Sequence, residues 1–261
     1  MRSLSIAATG MLAQQMNVEV ISNNIANMNT SGYKRQRAEF NDLLYQDMRR
    51  VGSNSSEEGT IVPSGIQLGL GVKPAAVYRI SEQGSIQMTD NPLDMAMNGK
   101  GMFMVEMPNG ETGYTRAGSF QLSPDGDLVT PDGYPVQPGI TVPVDAVGVT
   151  VNANGEVWVD LDGQVDPQLV GQIEVARFPN EAGLRALGDN LFVETRASGQ
   201  ANVGLPGQAG IGSLLQGAVE KSNVDMVKEI TNMVAAQRAY EMNSKVITAS
   251  DEMMRNVSQM R

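Results

Sequence analysis

The two ends of this chain share a repeat that its middle lacks. Residues 3–29 and about 220–260 carry side chains spaced alternately by four and three, the period of helices that pack along a narrow stripe, whereas everything between is rich in Gly, Pro and β-branched residues. The N-terminal stripe runs Ala7, Met11, Gln14, Val18, Ile21, Ile25, Met28. Asn27-Met28-Asn29-Thr30-Ser31-Gly32 supplies its stop, with Gly32 suited to a left-handed cap. The C-terminal stripe runs Met226, Ile230, Met233, Gln237, Tyr240, Ser244, Ile247, Asp251, Met254, after a capping-box-like start at Ser222 and Asp225. At about 1.5 Å per residue the two helices would reach roughly 40 and 55 Å. Such narrow stripes bury little surface alone. The pattern therefore predicts coiled-coil-like helices that pair with each other and with neighbouring copies. An ordinary hairpin packed on its own domain is the plainer alternative. Small Ala235, Ala236 and Ala239 would let helices approach closely. Polar Gln237, Ser244 and Asp251 weaken an isolated two-helix seam but suit bonding across subunits.

The middle reads as β structure. Met102–Val105, Ser119–Leu122, Asp127–Thr130, Val149–Val151, Val157–Val159, Ile173–Phe178 and Leu191–Val193 are strand candidates. Asn109-Gly110, Asp125-Gly126, Asp132-Gly133, Asn154-Gly155 and Asp162-Gly163 punctuate them as turns. The fold class is α+β, with a central, mainly antiparallel β domain. The expected division is an N-terminal helix over 1–36, an extended arm over 37–74 with a polar Gly/Ser-rich stretch at 46–65, the β domain over 75–216 and a C-terminal helix over 217–261.

Composition narrows the functions open to such a chain. The net charge of −10 disfavours nucleic acid, whose affinity rests on neutralising phosphates, and disfavours an anionic membrane surface. The basic run Lys34-Arg35-Gln36-Arg37 is followed by Glu39 and Asp42 and reads as a solvated or intersubunit face. With no Cys and no His, thiol chemistry, disulfides, soft zinc sites and His-based triads are excluded. Seventeen Met among only 5% aromatic residues indicate adaptable packing surfaces. The stretch Leu4–Ala13 faintly resembles a secretory signal but is broken by Ser5, Thr9 and Gly10, so no cleaved signal is expected. No run approaches the ~18 apolar residues of a membrane span.

The search for chemistry finds no catalytic, cofactor or metal site, so an enzyme is not expected. Asp160-Leu161-Asp162-Gly163-Gln164-Val165-Asp166 lacks the oxygen-ligand spacing and terminal Glu of a calcium loop. Asp90 and Asp94 flank Pro92 in a turn without a nucleophile. Gly69-Leu70-Gly71 and Asn98-Gly99-Lys100-Gly101 form no phosphate-loop or dinucleotide fingerprint. A carbohydrate-active extracytoplasmic enzyme would need two carboxylates facing each other across a cleft, and a ligand-binding barrel an open apolar cavity.

Four segments, taken in order, resemble the bacterial flagellar rod and hook proteins. They are Ser22-Asn23-Asn24-Ile25-Ala26-Asn27 through Thr30 to Gly32-Tyr33-Lys34-Arg35; Gly113-Tyr114-Thr115-Arg116-Ala117-Gly118-Ser119-Phe120; Asp127-Leu128-Val129-Thr130 through Gly133-Tyr134-Pro135 to Pro138; and Gln237-Arg238-Ala239-Tyr240-Glu241-Met242-Asn243 through Ile247. Gly101-Met102-Phe103 departs from the adjacent aromatic pair usual in that family. The length and the segment Ser55-Ser56-Glu57-Glu58-Gly59 through Gly65, with Gly69-Leu70-Gly71-Val72, resemble the distal-rod branch rather than hook subunits, which carry a further outer domain. A proximal rod subunit is the nearest alternative.

That resemblance implies a structural subunit exported by the flagellar type III apparatus and stacked into an open helical tube of identical copies. The tube would cross the periplasm in the basal body, inside the peptidoglycan-layer and outer-membrane ring proteins. It would join proximal rod proteins to hook or hook-junction subunits and transmit torque, with no direct membrane insertion. The assembly positions would be Ala7, Met11, Val18, Ile21, Ile25, Met28, Met226, Ile230, Met233, Tyr240, Ile247 and Met254. The motif positions would be Asn23, Asn24, Asn27, Gly32, Tyr33, Gln237, Arg238, Tyr240 and Asn243, with Ser55, Ser56, Glu57, Gly59 and Pro63 marking the insertion.

Overall fold

Arg2–Ala26 and Met226–Gln259 form two long helices, α1 and α2, of 25 and 34 residues. The computed structural model describes residues 2–49, 64–163, 166–208 and 210–259. The insertion residues Ser55, Ser56, Glu57, Gly59 and Pro63 lie outside the described residues. The chain divides into two compact units, one of residues 1–25, 36–78 and 225–261, the other of residues 26–35 and 79–224.

In the first unit the two helices accompany an arm of paired strands. Gln36–Asp42 pairs with Val72–Arg79, and Tyr45–Arg49 pairs antiparallel with Ile66–Gly69. Part of the stretch read as a polar linker from sequence is therefore strand. Both strands lie open, and Tyr45, Met48, Ile66 and Leu68 remain exposed. α2 starts at Met226 rather than at Ser222. Asp225 is the cap, its Oδ1 accepting from the amides of Val227 at 3.0 Å and Lys228 at 3.3 Å.

In the second unit six strands form one sheet in the order Arg185–Gly188, Leu191–Val193, Thr112–Thr115, Met102–Glu106, Val175–Arg177, Asn202–Gly204, with every neighbouring pair antiparallel. A three-stranded meander, Ala146–Val151, Glu156–Leu161 and Gln168–Gln172, lies beside shorter pairs. The run read as one strand over 173–178 is broken, and only Val175–Arg177 pairs into the larger sheet. Ser213–Gln216 returns antiparallel to Met95–Asn98, and Ala218–Glu220 to Ile86–Met88.

With few aromatic residues, the core relies on Met, Val and Ile. Met95, Met97, Val105, Val136, Ile140, Ile173 and Val175 are buried around Phe103. Phe103 meets Phe120 edge-on at 5.1 Å between centroids, and Tyr114 meets Phe178 edge-on at 4.7 Å, a geometry that sets ring edges against ring faces. Thus the fold is α+β, two terminal helices with a central antiparallel β region. Among the described residues no helix is long and apolar enough to cross a membrane.

Candidate assembly interface

Three close approaches fix how α1 meets α2. Ser250 donates to Ser3 Oγ at 3.2 Å. A β-carbon placed on Gly10 would lie 2.8 Å from Asn243 Nδ2. Asn24 Nδ2 donates to Glu229 Oε2 at 3.1 Å. The α1 positions advance by seven and then fourteen as the α2 positions retreat by the same steps, so the helices run antiparallel in heptad register. The side chains at these levels are small or polar. A side chain at Gly10 would displace the Asn243 amide from this level.

Asn24 is the most heavily used of these groups. It is buried, and its amide also donates to the Gln36 carbonyl at 2.9 Å while accepting from the Gln36 amide at 2.8 Å. The side chain thereby joins α1 to the first strand of the arm as a neighbouring strand would. A buried amide with its donors and acceptor engaged fixes one arrangement, because leaving any of them unmet costs about 1–3 kcal/mol.

The sequence-predicted stripe falls partly on this seam. Ala7 and Ile21 are buried, and Met11, Val18, Ile25 and Met28 are half-buried. On α2, Met233 and Ile247 are half-buried, but Met226, Ile230, Tyr240 and Met254 are exposed. The buried positions are instead Glu229, Ala236 and Ser250. The in-chain seam uses Glu229, Ala236, Asn243 and Ser250, each one place before the stripe positions Ile230, Gln237, Ser244 and Asp251. Of the motif positions, Asn24 and Gly32 are buried, Asn27, Tyr33 and Asn243 half-buried, and Asn23, Gln237, Arg238 and Tyr240 exposed.

The displaced apolar residues form two faces on α2. Val227, Ile230 and Val234 are 73, 43 and 43% exposed near its start, and Met242, Val246 and Met253 are 61, 45 and 60% exposed further along. At about 100° per residue the early face lies roughly 140° from the seam and the late face about 70° from it on the other side. An open groove of about 530 Å³ lined by Leu4, Ser250, Met253, Met254 and Val257 continues the second face.

The second unit has its own joint, which draws three of the resembling or returning segments together. Glu220 is 1% exposed. Its Oε1 accepts from Lys34 Nζ at 2.6 Å and the Gly84 amide at 2.9 Å, and its Oε2 from Arg116 Nε at 2.5 Å. Lys34 also donates to the Glu82 carbonyl at 2.9 Å. Arg116 donates to the carbonyls of Gly101, Met97 and Gly99. Burial opposes charge on Glu220 and is the strongest single influence, but Arg116, then Lys34 and the Gly84 amide, outweigh it and hold the carboxyl below its usual range. Burial lowers Lys34, with Arg116 adding to that effect and Glu220 opposing it. The two directions have different causes: burial lowers Lys34, whereas the flanking cations lower Glu220 against burial.

A depressed folded pKa on Glu220 stabilises the folded unit above the ordinary carboxylate value of 4.5, and this contribution is lost as pH falls through the folded value. Unfolding free energy followed by Trp158 fluorescence should therefore fall more steeply with acid below about pH 4.5 in the native chain than in Glu220→Gln. Equal slopes would remove Glu220 from the acid response.

Gly32 connects this joint to the end of α1. It does not cap the helix, which stops at Ala26. It adopts φ +70 where a β-carbon would lie 2.6 Å from the Ala117 amide nitrogen, and its own amide donates to the Glu220 carbonyl at 2.8 Å. Gly32→Ala should lower the melting temperature by about 5–10 °C, since left-handed strain and a backbone clash add. Gly133→Ala, with φ +88 and nothing within 4 Å, should cost clearly less. Equal losses would show that the close approach to Ala117 contributes nothing.

Helix ends paired in heptad register, a joint gathering the chain's distant motifs and apolar faces left outward define a structural protein built for association. Comparison with known proteins gives the family. Residues 4–34 match the family described as flagella basal body rod protein, 96–159 the flagellar hook protein FlgE/F/G D1 domain, and 215–260 the flagellar basal body rod FlgEFG protein C-terminal region. The chain is 60% identical over 261 residues to the flagellar basal-body rod protein FlgG of Caulobacter vibrioides, covering 100% of both chains. It is 53% identical to FlgG of Agrobacterium fabrum, covering 99% of this chain and 98% of the relative. It is 32% identical to the flagellar hook-basal body complex protein FlhP of Bacillus subtilis, covering 100% of both. The chain belongs to the flagellar basal-body rod protein family.

Proposed function

We propose that this chain is a subunit of the flagellar distal rod, assembling helically into an open tube that carries torque from motor to hook across the periplasm. The observation that carries the reading is the pair of unlike apolar faces at different levels of α2. Two unlike faces invite heterologous contacts, and contacts that do not close extend into filaments. The heptad levels at Ser3, Gly10 and Asn24 support coiled-coil-like pairing within each copy, leaving the larger residues for neighbours. The 37–74 arm, with its insertion, would touch adjacent copies and stiffen the tube. Proximal rod proteins, hook or hook-junction subunits, the surrounding ring proteins and the type III export apparatus are the expected partners, and no catalytic role is assigned.

A concentration series of the full chain viewed by electron microscopy tests the reading, beside a shortened chain of residues 26–224. The cuts must spare Gly32, Lys34 and Glu220, which belong to the β unit. Straight tubes from the full chain and monomers from the shortened one are expected. Monomers from both, even when seeded with purified rods, would overturn it. A second reading, another axial subunit, is favoured by the similarity to the Bacillus hook-basal body complex protein. It predicts tubes only after seeding on a different axial segment.

A further inference from the structure

The chain's acidity is concentrated in one unit. Residues 26–35 and 79–224 hold nine Lys and Arg against eighteen Asp and Glu, while the remainder holds ten against eleven. Within this acidic unit, four of the nine cations converge on the wall of one small cavity, Lys34, Arg79, Lys100 and Arg116, beside Glu181 and Phe192. Lys34 and Arg116 are held from behind by Glu220. Arg79 and Lys100 are held by no carboxylate among the described residues. The Arg79 guanidinium is half-buried and lies 5.1 Å from the centroid of Phe192, which fixes its position while leaving its donors to the cavity. Positive charge in excess of Glu181 is thus gathered where water is partly excluded, and there a fixed cation attracts an anion more strongly than at an open surface.

Size and charge choose the occupant. The cavity encloses about 30 Å³, room for about two water-sized groups, which suits the two oxygens of one carboxylate and not a nucleotide or a sugar. The same unit carries short carboxylates on exposed turns, at Asp125, Asp132 and Asp162. A cationic hollow and acidic turns at different places on one surface are the complementary but non-coincident patches that a heterologous contact between copies requires.

We propose that this cavity receives a single carboxylate side chain from a second copy of the chain, with Arg79 and Lys100 closing on its oxygens and Lys34 and Arg116 supplying the field behind them. The source of that carboxylate rests on the rod reading, whereas the chemistry of the cavity does not.

Two measurements on the full chain separate the two. Below the assembly threshold, sodium acetate should produce saturable nuclear magnetic resonance shifts at the amides of Gly99–Met102 and the ring of Phe192. Sodium chloride at equal ionic strength should not reproduce them, and Arg79→Gln/Lys100→Gln should weaken them at least about tenfold. Above the threshold, Arg79→Glu/Lys100→Glu should raise the critical concentration for tubes by about tenfold or more, with the melting temperature of the β unit lowered by no more than about 5 °C. Absence of saturable acetate shifts, or their reproduction by chloride, overturns the cavity's chemistry. Acetate shifts with an unchanged critical concentration in the charge-reversed variant overturn the second copy as donor. A native chain that binds acetate yet never forms tubes, seeded or not, overturns the rod reading and the donor together while the carboxylate site stands.

Discussion

Glu220→Ala is expected to leave residues 26–35 and 79–224 at the edge of unfolding, with a melting temperature lower by about 10–15 °C. The substitution leaves Lys34 and Arg116 buried without their shared carboxylate, and breaking one side of a buried ion cluster costs about 3–5 kcal/mol. That is a large fraction of the roughly 5–15 kcal/mol that holds a domain folded. The same change orphans the Gly84 amide, and it loosens the strand Ala218–Glu220 where it meets the segment at Gly32.

The three members are not equivalent. Arg116→Met should rank next, because it removes the donor to the carbonyls of Gly101, Met97 and Gly99 as well as to Glu220. Lys34→Met should cost least, since burial already disfavours the ammonium and its loss leaves Glu220 paired with Arg116. Replacing all three by Met, Met and Leu should not restore native stability. An apolar triad escapes the desolvation of charge but still strands the backbone carbonyls that Arg116 satisfies. Thermal melts followed by Trp158 fluorescence check the order. A Lys34→Met loss equal to that of Glu220→Ala would overturn this account of the joint.

The sequence displayed the helices and concealed the joint for the same reason. Helical periodicity is a local property, so α1 and α2 could be read within their own segments. The turns at Asn109-Gly110, Asp125-Gly126 and Asn154-Gly155 were equally legible, because left-handed glycine is required at Gly110, Gly126 and Gly155. Lys34, Arg116 and Glu220 are separated by long stretches of chain, and no spacing rule links a carboxylate at the end of one short strand to cations so far away. The resembling segments contain Lys34 and Arg116, but the basic run at Lys34 reads from sequence as a solvated or intersubunit face, whereas Lys34 is buried against Glu220 within the chain.

The α2 register was missed for a different reason. Large apolar residues dominate any search for a stripe, and here they serve surfaces outside the in-chain pair. The usable signal was the matched heptad of small and polar residues, Ser3, Gly10 and Asn24 against Ser250, Asn243 and Glu229, which becomes visible only when the two helices are compared in opposite directions. The arm was half legible. Tyr45, Met48, Ile66 and Leu68 are all exposed, and strands without a buried face leave no alternation to read, so their polar neighbours read as linker.

Two assembly-dead variants are expected to make a soluble one-to-one complex when mixed. If the early face of α2 in one copy meets the late face in another, Val227→Asp/Ile230→Asp disables one partner surface and Met242→Asp/Val246→Asp the other. All four residues are exposed, so neither variant should disturb the fold of the monomer. Each change sets charge against an apolar contact, and desolvating an unpaired carboxylate costs several kcal/mol, enough to raise the critical concentration by about a hundredfold or more. The late face of the first variant and the early face of the second remain intact. They can form one contact, and that contact ends in two dead surfaces, so growth stops at the pair. Sedimentation of each variant alone should give monomers, and of the mixture a species of twice the mass with no filaments. A mixture that stays monomeric would place both faces against the same partner surface, or against other proteins. Filaments from either variant alone would show that its face lies outside the tube contacts. The one-to-one complex, by contrast, requires that the faces be complementary and distinct. Those are the two properties that let one repeated contact build an open shaft rather than a closed ring or a dimer.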